Sequence, residues 1–250
     1  MTSSSIANPA PLGLIGFATA CIVNAIAKLC NTQQSSALFI TGIAFFGGGG
    51  AQILASTLQF IRNEGHSALV FAVFGFHWWN TGLWYMMLSH NPSLAENVPN
   101  GVRAAYPAVL ATVTAILWIP TLRCSYVSAM TLALVVGAFV VDIPAQWGCR
   151  QAAVASAVFA LAASGCAVYS AAAEVVNGAW KRDVLPRFYV RKKVESEEEC
   201  NDERFLASLV LQEIKLGRLS CPKQFPLVLE MKREGESSSS SEELEHICCE

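Results

Sequence analysis

The chain has 250 residues, of which 53% are hydrophobic and only 14% are charged, and its formal net charge is −2. A soluble domain carries about 25% charged residues, so the composition disfavours a soluble globular protein. The near-neutral charge gives no sign of a nucleic-acid partner. Charges are sparse up to residue 180 and crowd together beyond it. We therefore divide the chain into an amino-terminal segment, residues 1–9, an apolar body, residues 10–180, and a polar tail, residues 181–250.

The body consists of six apolar runs separated by short polar breaks. The runs are Pro11–Leu29, Ala37–Ile61, Ala68–Leu88, Ala105–Leu122, Val127–Ile143 and Ala152–Val176. Each has about the 17–25 residues with which an α-helix crosses a bilayer. The last is apolar or small on all sides, which a soluble helix is not. The sequence thus predicts an all-α membrane protein, a six-transmembrane-helix bundle dissolved in the lipid bilayer.

The first span opens with Asn8, Pro9, Ala10 and Pro11. Proline is tolerated in the first helical turn, and Asn8 is a good N-cap residue. One interpretation is simply a well-started helix. The other is that the free N–H groups and positive dipole of this helix end attract a passing anion such as a carboxylate.

The second span contains four consecutive glycines, Gly47–Gly50. Each glycine costs a helix interior about 1 kcal/mol relative to alanine, so a compensating role is expected. Close helix packing and a kink that lines a pore are the two candidates, and we favour packing.

Polar side chains inside a membrane span tend to face a pathway or another helix. Asn24, Gln52, Gln59, His77 and Asn80 are in this class. None is a fixed charge, so no buried ion pair is expected. His77 either senses pH or makes one interhelical hydrogen bond. The aromatic residues around Phe74 form either an interfacial belt or an apolar constriction that excludes water.

The sixth span is rich in alanine and serine, which suits close helix packing. A basic cluster follows it, from Lys181 to Lys193. The positive-inside rule then places both termini in the cytoplasm. The tail ends in a low-complexity stretch of serine and glutamate, with five serines at Ser237–Ser241. We expect the tail to be largely disordered, either a solvated end or a switch controlled by phosphorylation.

The usual motifs of enzymes and metal proteins are missing from the sequence. It contains no nucleophile elbow, no zinc-protease motif and no phosphate-binding glycine loop before a strand. We therefore expect no enzymatic activity, no cofactor and no metal site.

Three motifs resemble those of the acetate uptake transporter family, the succinate–acetate permeases. The segment from Asn8 to Phe17 resembles the family signature. Gly49 to Ile53 resembles its glycine-glycine-x-alanine-glutamine segment, and Glu174 to Pro186 resembles its closing pattern. The resemblance implies a six-helix subunit that assembles into a homo-hexamer and encloses a path for acetate.

The resemblance also implies a set of pathway residues. In the family, a hydrophobic neck is formed by an aromatic of the first span, an aromatic of the third and an aliphatic of the fifth. The predicted substrate pathway is Asn8, Pro9, Leu12, Gly13, Phe17, Gln52, Phe74 and either Leu134 or Val135. The chain departs from the family at Phe74, where tyrosine is frequent, and at Gln59, where relatives carry glutamate.

The favoured function is transport of acetate and related small monocarboxylates, as a channel or as a symporter that also moves protons. The plasma membrane is the expected location. Two alternatives remain at this point. One is transport of ammonium or another small solute, and the other is a membrane metabolite sensor that signals through its tail.

Overall fold

A computed structural model of the chain describes residues 6–93 and 97–190. The predictions for residues 191–250, namely disorder and a switch in the serine-rich stretch, lie outside the described residues. Within the described part, residues up to 190 belong to one compact unit.

The described residues are mostly helical. The helices are α1 (Ala10–Cys30), α2 (Ala37–Gly42), a π-helix (Ile43–Gly50), α3 (Ala51–Ile61), α4 (Gly65–His90), α5 (Asn100–Thr121), α6 (Tyr126–Ala145) and α7 (Arg150–Trp180). The described ranges contain no strand, only an isolated bridge between Ser125 and Tyr189. The prediction of an all-α fold agrees with this architecture.

The glycine run of the second predicted span forms a π-helix in the middle of a continuous helical segment, Ala37–Ile61. Two of its glycines permit close packing. A Cβ atom on Gly48 would lie 2.5 Å from the Trp78 ring, and one on Gly49 would lie 1.9 Å from the Trp79 ring. The backbone of Gly47 lies against α1, since a Cβ on Gly16 would be 2.4 Å from the Gly47 carbonyl oxygen. The run therefore serves packing and also departs from α-helical geometry.

Five helical segments are long and apolar enough to cross a membrane. They are Ala10–Cys30, Ala37–Ile61, Asn100–Thr121, Tyr126–Ala145 and Arg150–Trp180. They coincide with five of the six predicted spans. The third prediction falls on α4, which has 26 residues but is not in this set. Indole, imidazole and amide groups, as in Trp78, His77 and Asn80, lower its mean hydropathy.

Both ends of the described chain lie at the same end of the bundle. Arg62, at the turn between α3 and α4, donates a hydrogen bond to the Ile6 carbonyl. Tyr126, at the start of α6, donates its N–H to the Phe188 carbonyl at 3.0 Å. We call this the termini side of the bundle, and the opposite end the far side.

Asn177 fixes the chain where α7 ends. Its side chain is 2% exposed; its amide donates to the Leu185 carbonyl, and its carbonyl accepts from the N–H groups of Val184 and Leu185, each at 2.8 Å. Three bonds to main-chain groups make the returning segment part of the bundle.

Candidate functional site

A cluster of apolar side chains closes the middle of the bundle, where α1, α4 and α6 meet. Phe17, Phe74, Leu132 and Val135 are each 6% exposed or less, and they belong to one core cluster. The rings of Phe17 and Phe74 meet edge to face, with centroids 5.7 Å apart. We call these four side chains the neck.

A cavity of about 180 Å³ lies on the termini side of the neck. Its walls include Ala10, Leu14, Phe17, Gln52, His66, Ser67, Val70, Phe71, Phe74, Thr121, Cys124, Ser128, Thr131, Leu132 and Ser170. The volume is well above the roughly 10–15 Å³ that one water needs. We call it the termini-side cavity; it is mostly apolar with a small number of polar groups.

Gln52 is a fully buried polar residue of this cavity with one side-chain atom that lacks a partner. It is 1% exposed, its Nε2 donates weakly to the Gly13 carbonyl at 3.5 Å, and its Oε1 has no hydrogen-bond partner. A buried amide that is left unpaired costs free energy. Water, or a ligand with a hydrogen-bond donor, would relieve that cost by donating to Oε1.

A second cavity, of about 90 Å³, lies on the far side of the neck. Its walls include Phe17, Cys21, Asn24, Ala25, Lys28, Phe74, His77, Trp78, Val135, Ala138, Phe139, Asp142, Ser156, Ala157 and Ala160. Phe17 and Phe74 line both cavities. The neck is therefore part of the wall between the two cavities.

The far-side cavity holds an ion pair, Lys28 with Asp142, at 2.6 Å between Nζ and Oδ1. No buried ion pair was evident from the sequence, and this pair is half-buried, with side chains 20% and 17% exposed. Both residues lie near helix ends, Lys28 in α1 and Asp142 in α6. The sequence does not show which span ends meet, so the pair could not be recognised from it.

His77 and Trp78 also line the far-side cavity. The Nδ1 of His77 hydrogen bonds the Tyr106 hydroxyl of α5 at 2.9 Å, which is the interhelical bond that the sequence offered as one alternative. The indole N–H of Trp78, a residue 2% exposed, has no partner. A wall residue of this cavity therefore has a buried donor without a partner.

The start of α1 is arranged differently from the N-cap prediction. The N-cap is Pro9, not Asn8, and α1 begins at Ala10. Asn8 is exposed, accepts from the Ala10 N–H at 3.0 Å and donates to the Glu174 carboxylate at 3.1 Å. Its side chain still satisfies a free helix N–H, but its amide is occupied by a glutamate rather than open to an anion.

The predicted pathway residues fall into two groups. Phe17, Gln52, Phe74 and Val135 line the cavities. Asn8, Pro9, Leu12, Gly13 and Leu134 line neither of the two, and Leu12 is 42% exposed. Gly13 is adjacent all the same, because its carbonyl accepts from Gln52 and its Cα hydrogens face the Phe71 ring.

Sequence reasoning missed Leu132, Lys28, Asp142 and Ser156. Leu132 lies one turn before Val135 and places an aliphatic group on the other side of the neck. The signal for Lys28 and Asp142 is chemical: a lysine and an aspartate near the ends of apolar spans are costly in a membrane unless they pair. Ser156 had no such signal.

The arrangement can hold a small molecule that has one polar and one apolar end. Each cavity offers polar groups beside apolar walls, and the neck between them has no polar side chain. An apolar constriction of this kind excludes hydrated ions by dewetting. The described residues contain no group of metal-ligating side chains.

Comparison with known proteins identifies the family. The model of the GPR1/FUN34/yaaH family matches residues 1–189. The chain belongs to this family. The resemblance to the acetate uptake transporters that the three motifs indicate is thereby confirmed.

Two proteins illustrate the likeness of this GPR1/FUN34/yaaH member to others. An uncharacterized protein of Methanothermobacter thermautotrophicus is 27% identical over 192 residues, and the match covers 74% of this chain and 92% of the relative. The structure of the bacterial acetate channel SatP matches with a TM-score of 0.66 at 24% identity, covering 73% of this chain and 99% of that chain. At this identity, the match to SatP shows a shared fold.

Proposed function

We propose that the protein transports acetate and related small monocarboxylates across a membrane. The observation that carries the proposal is the pair of cavities, each with polar groups, on opposite sides of the Phe17 and Phe74 rings. Membership of the GPR1/FUN34/yaaH family and the fold shared with the acetate channel SatP support the same substrate class.

The physical requirement is a path that accepts a carboxylate at both ends and discriminates by size at its middle. In the termini-side cavity, the carboxylate would accept from the Gln52 amide and neighbouring hydroxyls. At the neck, the short alkyl part passes between the rings of Phe17 and Phe74 and the side chains of Leu132 and Val135. Hydrated cations cannot shed their water at such a constriction without a large free-energy cost.

Among the predicted pathway residues, Gly13 acts through its carbonyl, which positions Gln52, and Asn8 through the start of α1. Pro9 and Leu12 shape the same helix end. For Leu134, packed against the core cluster behind the neck, the proposed role is support of Leu132 and Val135. Substitutions of these residues are therefore expected to impair transport, although the residues do not contact the substrate.

We further propose that α4 is the third of six spans and that both termini are cytoplasmic. At 1.5 Å per residue its 26 residues reach about 39 Å, and the hydrocarbon core is about 30 Å thick. Labelling with a membrane-impermeant maleimide tests the topology. In single-cysteine variants, Cys30 and Cys124, both exposed and at opposite ends of the bundle, should be labelled from opposite sides of the plasma membrane.

A homo-hexamer is the proposed assembly. Leu38, Phe39 and Phe46 are each 68% exposed or more, so this face meets either lipid or a neighbouring subunit. Mass measurement in nanodiscs would give the stoichiometry, and a monomer would contradict the hexamer without affecting the transport path within a subunit.

The decisive experiment is uptake of labelled acetate by proteoliposomes, with and without an imposed pH gradient, relative to protein-free liposomes. We expect uptake that propionate inhibits and ammonium does not. Inhibition by ammonium alone would favour the small-solute alternative. Flux that survives deletion of residues 191–250 would argue against a sensor that acts through its tail, and absence of acetate flux would refute the proposal.

A further inference from the structure

The far-side cavity contains the Lys28–Asp142 ion pair, which has no role in the proposed transport path. Both side chains line the cavity, which reaches the neck at Phe17 and Phe74. Any solute that travels between the far side and the neck through this cavity passes them. An ion pair in such a place can do more than join α1 to α6.

The two partners differ in how firmly they are held. The Asp142 carboxylate accepts from Gln146 at 3.1 Å on Oδ2 and from Ser156 at 3.1 Å on Oδ1, in addition to Lys28. The Lys28 ammonium has Asp142 and, at 3.5 Å, Ser156 as its partners. If the ion pair separates, Asp142 keeps two donors, whereas Lys28 needs another acceptor for its three N–H groups.

A substrate carboxylate is an acceptor of the required kind and charge. However, an anion that binds beside a neutralised pair adds one uncompensated negative charge to a cavity with low dielectric constant, which is unfavourable. The cavity keeps its charge if a proton arrives with the anion. Protonated Asp142 is neutral, still bonded to Gln146 and Ser156, and no longer competes for Lys28.

We propose that Lys28 and Asp142 form a proton-linked carboxylate-binding site: the substrate carboxylate replaces Asp142 on Lys28 while Asp142 takes up one proton from water. Trp78 also lines this cavity, and its buried indole N–H has no hydrogen-bond partner. On release, Asp142 returns its proton to the substrate carboxylate and pairs with Lys28 again, so the substrate crosses the neck as the neutral acid and one proton accompanies each carboxylate. This inference rests on the proposed transport of monocarboxylates.

Other charged or titratable groups surround the pair. They are Cys21 of α1, His77 and Tyr85 of α4, Arg103 and Tyr106 of α5, and Arg150 of α7. The two arginines bind main-chain carbonyls, Arg103 that of Gln146 and Arg150 those of Lys28 and Leu29. His77 and Tyr106 bind each other. Within the described residues, Lys28 is the cation in salt-bridge contact with Asp142.

The test measures the charge that moves with each acetate. Proteoliposomes are adsorbed on a sensor that records current after an acetate jump, and parallel samples measure labelled uptake. For the unmodified protein we expect uptake with no current beyond that of protein-free liposomes, because the proton cancels the anion. Asp142→Asn cannot take up a proton, so we expect uptake to gain a current of about one elementary charge per acetate.

Three further variants complete the design. The charge swap Lys28→Asp with Asp142→Lys re-forms the pair and should return to uptake without current. The neutral double variant Lys28→Gln with Asp142→Asn removes the cation, and labelled uptake should fall at least about tenfold at low acetate, as expected for loss of a charge-assisted bond. Glu64→Gln removes an exposed carboxylate outside both cavities and should behave like the unmodified protein.

The outcomes separate this inference from the transport proposal. If Asp142→Asn transports acetate without current, or if the unmodified protein already carries one charge per acetate, the pair is not the proton-linked site although acetate transport stands. If the unmodified protein shows no uptake, both proposals fail. Should Asp142→Asn not fold, the two double variants decide: unchanged uptake by the neutral pair means that Lys28 and Asp142 are structural only.

Discussion

The rings of Phe17 and Phe74 meet edge to face, 5.7 Å between centroids and 62° between planes, and each ring borders both cavities. Edge-to-face contact is a favoured geometry for aromatic pairs. This contact between α1 and α4 forms part of the wall between the two cavities, together with Leu132 and Val135 of α6.

Replacing Phe17 by alanine should widen the neck and weaken selection by size. We expect uptake of larger monocarboxylates to rise relative to acetate by several fold. Because truncation of a buried phenylalanine costs roughly 3–5 kcal/mol in soluble proteins, thermal stability in detergent should fall as well. Competition of labelled acetate by a series of acids of increasing chain length measures the selectivity. Phe46→Ala, at a residue 82% exposed, is the matched control, and unchanged discrimination in Phe17→Ala would count against the neck.

Replacing Gln52 by leucine should reduce acetate uptake at low substrate concentration. The change roughly keeps the volume but removes the Nε2 donor of the termini-side cavity, which makes only a 3.5 Å hydrogen bond to the Gly13 carbonyl. Loss of one hydrogen bond to a charged group costs about 1.5–3 kcal/mol, so the apparent KM should rise roughly tenfold or more. Gln59→Leu is the comparison, because Gln59 is also buried with an unpaired Oε1 but lines neither cavity. Equal effects of the two changes would show that burial, not contact with substrate, explains them.

Replacing Gly49 by alanine should prevent normal packing of the second span. Its Cβ would lie 1.9 Å from the Trp79 ring, whose N–H donates to the Phe45 carbonyl at 3.2 Å. The indole would have to move and lose that bond. We expect poor yield of monodisperse protein and a lowered melting temperature. For Gly47→Ala the nearest atom outside its own helix backbone is 3.8 Å away, so this neighbouring change should be tolerated; failure of both would point to the π-helix itself.

Replacing Asn8 by alanine should weaken transport through the start of α1. The change removes the acceptor for the Ala10 N–H and the donor to Glu174, and loss of a capping acceptor costs about 0.5–2 kcal/mol. Asn8→Asp keeps the acceptor but places a negative charge beside Glu174, so its uptake should also fall. Uptake is normalised to protein in the vesicle, and normal uptake by both variants would contradict the role of Asn8.

Hydropathy and residue chemistry predict much of this fold because the bilayer imposes helix length. The bounds of α1 and α6 follow their apolar runs to within a few residues. The four glycines after Phe46 predict close helix packing from the sequence alone. The third span is harder to recognise. Several polar atoms of α4 belong to Trp78, Trp79 and Asn80. A hydropathy scale counts these side chains as polar even where they hydrogen bond a neighbouring helix.

The candidate site is only partly predictable because it depends on which helices are neighbours. Phe17, Phe74 and Gln52 follow from motif positions, and all three border a cavity. The choice between Leu134 and Val135 needs the rotation of α6 about its axis. Lys28 and Asp142 are 114 residues apart in the chain, and no local pattern connects them.

The π-helix at Ile43–Gly50 has a consequence for how the second span is read. Its hydrogen bonds run to the fifth residue rather than the fourth, so each turn there uses more residues than in α2 or α3. Gln52, Ser56 and Gln59 of α3, all buried, follow this irregular stretch in the chain, so the direction in which they face depends on its length. Deleting a single glycine would rotate α3 relative to α2 and turn these amides and this hydroxyl towards lipid.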